Sequence, residues 1–400
     1  MIRTVKCSKR NSEKGSMDVK EQEKERDYNV SGQAEQRDYS MLGLDGQKWE
    51  GTVLLTGEAD IFYFTGFYTT ARRPKQIGMT AVILASGVKK FVYPRKWQGQ
   101  IEEQELSGLG EPVPYENTKE TYLETLTELL RREDMSLLWI VYDQTDLPTY
   151  LALRPLARMI KDIGPKMAEL RLIKSQDEIR RIKQAAAIAA DAMEYAKTFL
   201  KAGITELEAA AEIEYHMRRN GSDGVPFTMK LISGQRSAVV TRVPENKRIE
   251  RGDLVLLDFG AKYLGYSSDW TRTFCVSECT KEQRSLYELV RYMESECIKM
   301  VRPDLPMQEL IKKAADIAAG HPYGKYFNPH LGHSVGITSH EWPTIDENVS
   351  GRLQENMVIT IEPGVYVPGL GGVRIEDEVL VTERGYEILT GLKEETFVLS

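Results

Sequence analysis

No stretch of this 400-residue chain approaches the ~18 consecutive apolar residues of a membrane span, so no transmembrane helix is expected. Positive charge is not in excess. Lys and Arg number 53 against 60 Asp and Glu, and a net charge of −7 argues against the basic face that nucleic-acid binding needs. Cysteine is scarce: Cys7, Cys275, Cys279 and Cys297 form no C-x-x-C spacing and no disulfide framework, which makes a reducing cytoplasm the simplest home. The basic N-terminus MIRTVKCSKRNSEKGS has no apolar h-region and does not read as a secretory signal. The first 40 residues hold ten hydrophobic side chains against 17 charged ones. They bury too little surface to offset their ordering entropy, so residues 1–41 are expected to form a flexible extension or leader.

The remaining length is too great for one ordinary core and suggests two domains. GTVLLTG, TAVILAS, KKFVYP and LLWIVYD are short β-rich runs. TKETYLETLTELLRRED between them reads as a helix with Leu123, Leu126 and Leu130 on one face. This alternation predicts an α/β domain over residues 42–170. Two helices follow, each opened by a capping box, Ser175 with Glu178 and Thr205 with Glu208. His216, one turn after Glu212 in the second helix, reads as a surface or packing contact. Beyond them the chain is strand-rich with one further helical stretch near 280–320, giving an α+β block over 171–400.

Only five histidines occur, and three fall within HLGHSVGITSHE, residues 330–341. Gly332-His333-Ser334-Val335-Gly336 matches the G-x-S-x-G nucleophile elbow, which requires a strand before the serine, a helix after it, and an acid and then a histidine downstream. GKYFNPHL is a poor strand, ITSHEWPTI a poor helix, and no acid separates Ser334 from His340. The serine-hydrolase reading therefore fails on context.

Two other segments break the rule that strands bury apolar side chains. In DLVLLDFGAKYLGYSSDWTRTFCV, a reversal at Tyr263-Leu264-Gly265 makes Asp258 and Asp269 approximate cross-strand neighbours. In MVITIEPGVYVPGLGGVRIEDEVLVT, Glu362 and Glu376 are symmetric about Gly369, inside a hairpin turn that no helix follows and that is therefore no phosphate cradle. Directly opposed Cβ atoms lie ~4.5–5.5 Å apart, where two carboxylates repel unless a cation intervenes. Four such acids and one loop histidine form an oxygen-rich set suited to two divalent ions, Mn²⁺ first, with Co²⁺ and Zn²⁺ as alternatives.

These segments resemble the pita-bread metallopeptidases: aminopeptidase P, prolidase and methionine aminopeptidase, with creatinase as a metal-free cousin. The likeness runs from about residue 42 to 400, with ADIFYFTGF similar to the creatinase-like N-terminal domain and LRLIKSQDEI similar to the entry into the catalytic domain. The resemblance implies an α/β creatinase-like domain followed by an α+β pita-bread catalytic domain. It also implies an enzyme that cleaves Xaa-Pro bonds of small peptides through a metal-bridging hydroxide. LLDFGA, SDWTRT, GHSVG, IEPGVY and GVRIEDE carry Asp258, Asp269, His333, Glu362 and Glu376 to the ligand positions. On the same footing Asp269 and Glu376 bridge the ions, Asp258 chelates one, and His333 with Glu362 binds the other. Glu362 doubles as proton shuttle, His340 stabilises the tetrahedral intermediate, and Arg374 orients substrate. A homodimer is implied as well.

Two positions depart from the peptidase pattern. Pro329 stands where a histidine precedes the ligand histidine by four, with His330 one place later, and Thr241 replaces a second histidine. These put substrate contacts in doubt and leave open a hydrolase of another small amide or cyclic amidine. Intact ligands count against a non-catalytic binding module on the same scaffold.

Overall fold

The computed structural model describes residues 50–68, 80–85, 87–104, 106, 108–392 and 396–400. The extension expected over residues 1–41 lies outside them.

Residues 52–162 build a six-stranded mixed sheet in the order Glu111–Tyr115, Val88–Pro94, Ala81–Ala85, Thr52–Leu55, Leu137–Ile140, Met159–Asp162. Its central strands are buried at every position, and apolar at all but Thr52, because both faces are covered. Leu54, Ile83 and Leu138 pack on one face with Tyr122, Leu126 and Leu130 of the helix Lys119–Leu130. Leu123, expected in that stripe, is only partly buried, and Tyr122 takes the core position. On the opposite face, Val53, Leu55, Val82 and Phe91 join Phe62, Phe64 and Phe67. That cluster continues into Ile179, Ile182, Tyr266, Val335 and Val358. One apolar core thus reaches from the first sheet to the strand that bears the histidines.

The remaining chain folds helix outside, sheet inside. A four-stranded sheet, Val398–Leu399, Trp270–Val276, Leu254–Phe259, Lys230–Ser233, is covered by the helices Gln176–Phe199 and Glu206–Arg219. Both helices start in the expected capping boxes, each such cap contributing about 1 kcal/mol. His216 makes a packing contact: Nε2 lies 2.7 Å from Asp191 Oδ2 and the ring stacks on Tyr195. A five-stranded sheet, Glu341–Asp346, His330–Ser334, Val358–Ile361, Asp377–Thr382, Gly385–Ile388, is covered by the helices Lys281–Ile298 and Met307–Ala319. Where one helical stretch was expected there are two. The first ends at Ile298, Pro303 and Pro306 beyond it lack the N–H donors to continue it, and Pro306 caps the start of the second.

The two acid-bearing hairpins have different registers. Val358–Ile361 pairs with Asp377–Thr382, and Gly364–Val367 with Gly371–Arg374, both in the register that sets Glu362 opposite Glu376 about Gly369. The other hairpin turns one residue later than its sequence suggested, which moves each cross-strand partner by two. Tyr263 pairs with Tyr266 across a two-residue turn, Leu264 and Gly265, with φ of 45° and 85°. Asp258 is consequently opposite Thr271, not Asp269. Asp269 follows two residues earlier as a diagonal neighbour on the same face, still within reach of long side chains.

Candidate metal centre

The strands bring all five expected ligands together. Oxygen or nitrogen atoms of Asp258, Asp269 and Glu376 lie within 4.8 Å of one another, as do those of His333, Glu362 and Glu376, and those of Asp269, His333 and His340. Glu376 belongs to two of these groups, and so does Asp269, so these two carboxylates stand between the Asp258 side and the His333 side of the cluster. Asp258, Asp269, His333 and Glu376 are buried, and Glu362 nearly so.

The electrostatics are those of a carboxylate cluster short of positive charge. Burial, then repulsion from Glu376, Asp258 and Glu362, holds the Asp269 carboxyl well above the ordinary range. Burial with repulsion from Glu362 and Asp258 does the same to Glu376. Burial also opposes ionisation of Glu362. The His330 hydrogen bond, the adjacent His333 ring and the Arg374 charge overcome that opposition and keep its carboxyl well below the ordinary range. Arg374 contacts Asp258 through Nη2, and Lys230 Nζ lies 2.8 Å from the same Asp258 oxygen.

Within the five expected ligands, two buried atoms have no hydrogen-bond partner: His333 Nε2 and Glu376 Oε1. His333 Nδ1 lies 3.1 Å from the Ser334 carbonyl, an acceptor only, so Nδ1 carries the proton and the Nε2 lone pair points into the carboxylates. Nε2 sits 3.1 Å from Glu362 Oε1 and 3.7 Å from Asp269 Oδ2. A lone pair facing carboxylate oxygens needs a cation between them, a proton or a metal ion. Four carboxylates and one imidazole, two of their atoms orphaned, therefore fit divalent metal.

His340 stacks on His333 with ring centroids 3.9 Å apart, and its Nδ1 is 3.9 Å from Asp269 Oδ2. Burial and the neighbouring His333 push it down to about 4, so it is uncharged at neutral pH. Arg374 is buried and engaged, with Nε donating to Thr271 Oγ1 at 3.2 Å and Nη1 to the Tyr366 hydroxyl at 2.6 Å.

His330 was passed over in the sequence as merely one place out of register. The structure puts its Nε2 3.1 Å from Glu362 Oε1. A regular strand would point residues 330 and 333 to opposite faces, but the pairing with Glu341–Asp346 shifts between His330 and Gly332. That bulge turns both rings toward Glu362. Pro329 and Thr241 are themselves exposed.

Ser334 does lie in a strand, His330–Ser334, but that strand takes in only the last two residues of GKYFNPHL, and no helix follows. The serine is fully buried. Its hydroxyl donates to the Val358 carbonyl at 3.1 Å and accepts from Lys174 Nζ at 2.8 Å. The flanking glycines are there for close approach. A Cβ on Gly332 would meet the Thr360 carbonyl at 2.0 Å, and one on Gly336 the Glu341 carboxylate at 2.5 Å. Ser334→Ala is therefore expected to cost about 1–3 kcal/mol of stability for the two stranded partners while keeping more than about a tenth of the activity. Urea unfolding and initial rates measured side by side check this; near-complete inactivation with metal retained would reinstate a nucleophilic serine.

Comparisons with known proteins place the chain in a family. The profile of metallopeptidase family M24 matches residues 180–383. An Xaa-Pro dipeptidase of Pyrococcus horikoshii is 42% identical over 235 residues, covering 59% of this chain and 67% of that protein. The uncharacterized peptidase YqhT of Bacillus subtilis is 34% identical over 358 residues, 90% of this chain and 97% of its own. Among solved structures, an Xaa-Pro dipeptidase from Bacillus anthracis superposes with a TM-score of 0.79 at 31% identity, covering 87% of this chain and 95% of that one. With the profile matching over half its length and a full-length relative alongside, the chain belongs to metallopeptidase family M24.

Proposed function

We propose that this chain is a two-metal hydrolase of Xaa-Pro peptide bonds, with residues 171–400 as the catalytic domain and 42–170 as a creatinase-like domain beside it. The observation that carries the reading is the shared position of Asp269 and Glu376 between the Asp258 group and the His333–Glu362 group. Asp258, Asp269 and Glu376 would hold one ion; Asp269, Glu376, His333 and Glu362 the other. Bound there, divalent ions supply an acidified water and Lewis-acid polarisation of the scissile carbonyl. The oxygen-rich donors favour Mn²⁺, with Co²⁺ and Zn²⁺ next.

The protein's own groups divide the remaining work. Glu362, kept ionised, takes the proton released from the attacking water and passes it to the departing proline nitrogen. Its Oε1 is oriented by the His330 ring and its Oε2 lies 3.8 Å from Arg374 Nε. His340, neutral and exposed beside the cluster, donates a hydrogen bond to the oxygen on which charge develops, as an uncharged imidazole can. Arg374 anchors Asp258 from behind and so fixes the cluster against which substrate is oriented. Names of relatives such as the Pyrococcus horikoshii Xaa-Pro dipeptidase support the substrate class. Cysteine spacing supports a cytoplasmic setting and family resemblance a homodimer.

Protein reconstituted with Mn²⁺ is expected to cleave Ala-Pro, Met-Pro and longer Xaa-Pro peptides, and to lose that activity on chelation with return upon Mn²⁺ addition. Each histidine absent at 241 and 329 removes a hydrogen bond of ~1.5–3 kcal/mol, so each absence is expected to lower the rate about ten- to a hundredfold below a fully equipped peptidase. No cleavage with Mn²⁺, Co²⁺ or Zn²⁺ would reject the reading. The choice would then fall on another small amide or a cyclic amidine, the alternative that these two replacements favour.

A further inference from the structure

The strand Lys230–Ser233 is buried and apolar at Leu231 and Ile232, yet it opens with a lysine whose backbone pairs directly with Asp258. The ammonium lies 2.8 Å from Asp258 Oδ2. Resting on the Xaa-Pro reading above, we propose that Lys230 binds the free C-terminal carboxylate of the substrate and so makes this chain prefer dipeptides to longer peptides.

Three observations carry the assignment. The arginine of the site is already spent: Arg374 is 4% exposed, and its Nε, Nη1 and Nη2 are held by Thr271, Tyr366 and Asp258. Lys230, by contrast, is 28% exposed and His340 59%, whereas every one of the five expected ligands is at most 11% exposed. Lys230 and His340 also flank one ring. Phe227 has the Lys230 ammonium 5.8 Å from its centroid and the His340 ring 6.2 Å away, edge to face. Phe227, Lys230 and His340 therefore form one open side of the cluster, on the Asp258 and Asp269 side, while His330, 33% exposed, borders Glu362.

The chemistry there selects a carboxylate. Asp258 takes one of the ammonium's three donors, leaving two for a ligand. The stem has four rotatable carbons, so the charge can shift without moving the strand. In an Xaa-Pro dipeptide the terminal carboxylate is separated from the scissile nitrogen by a single carbon. A cation within hydrogen-bond distance of a cluster carboxylate is therefore placed for that anion. In a longer peptide the same position is a neutral amide, from which a fixed ammonium gains far less.

The test titrates L-proline and L-prolinamide calorimetrically into Mn²⁺-loaded wild type, Lys230→Met and Lys230→Arg, with bound metal measured in each and kcat/KM compared on Ala-Pro and Ala-Pro-amide. Lys230→Met is expected to weaken L-proline about ten- to a hundredfold and leave prolinamide unchanged, with the charge-retaining Lys230→Arg close to wild type. The loss in turnover should fall on KM for Ala-Pro alone, with metal content intact. Equal losses on acid and amide, no loss on either, or release of metal by Lys230→Met would overturn the assignment. Wild type that binds L-proline through Lys230 yet cleaves no Xaa-Pro bond would uphold the anchor and reject the peptidase reading. Cleavage of acid and amide alike in both wild type and Lys230→Met would do the reverse.

Discussion

Glu376→Ala is expected to abolish turnover, by at least about a thousandfold, and to lower the metal bound per chain. The argument starts from its neighbours. Glu376 has donor atoms within 4.8 Å of Asp258 and Asp269 on one side and of His333 and Glu362 on the other. Thr271 Oγ1 donates to Oε2 at 2.5 Å and fixes the carboxylate, while Oε1 has no partner. Alanine removes one of the two carboxylates shared by the Asp258 and Glu362 sides, so charge is lost from both at once. Loss of one ion alone removes water activation or carbonyl polarisation, each among the larger contributions to such a barrier. Glu376→Gln keeps the shape and the Thr271 contact but not the charge, and should lose nearly as much. Elemental analysis with initial rates on Ala-Pro checks the pair. A Glu376→Ala protein that keeps a full metal complement and a tenth of its activity would remove Glu376 from the centre.

The Glu362–Glu376 hairpin was legible because its turn, Pro368-Gly369-Leu370, is built from residues that announce turns, and the ladders on either side keep one register. The Asp258–Asp269 hairpin was misplaced by two residues because its turn asks a leucine to adopt φ 45°. Two-residue hairpins usually signal themselves with Asn-Gly or Asp-Gly, and Leu264-Gly265 carries only half of that signal. The error did no harm to the site, since a shift of two keeps a side chain on its face. His330 was illegible for another reason. Its direction depends on a bulge beside Leu331, which is a property of the pairing with Glu341–Asp346 and not of the local sequence. Lys230 did leave a trace, a charge heading the apolar run KLIS, but only the strand pairing shows that it meets Asp258.

The hardest residue to read was Lys174, which in LIKSQDEI looks like an ordinary solvated lysine before a helix cap. Its side chain is 1% exposed, with Nζ 2.8 Å from Ser334 Oγ and 3.4 Å from Glu341 Oε2. Burial pulls its pKa down and Glu341 pulls it back. Glu341 also meets Arg171 Nε at 3.5 Å, and Arg171 reaches Asp60 at 2.9 Å in the helix Glu58–Thr65. The chain of charges therefore runs from the first sheet's helix to the residues that directly follow His333 and His340. Lys174→Met should destabilise the protein by about 3 kcal/mol, the lower end for breaking a buried pair. Arg171 and the backbone N–H groups of Ile337 and Thr338 still hold Glu341, which keeps the loss at that end. Replacing the partner as well distinguishes a stranded charge from lost packing. If the cost comes from an uncompensated carboxylate, Lys174→Met with Glu341→Leu should be less unstable than the sum of the two singles, although Glu341→Leu also deprives Arg171 and the Ile337 and Thr338 N–H groups of a partner. Urea midpoints of the two single variants and the double variant measure this as a cycle. A double variant as unstable as the sum of the singles would show that Lys174 and Glu341 do not act on one another.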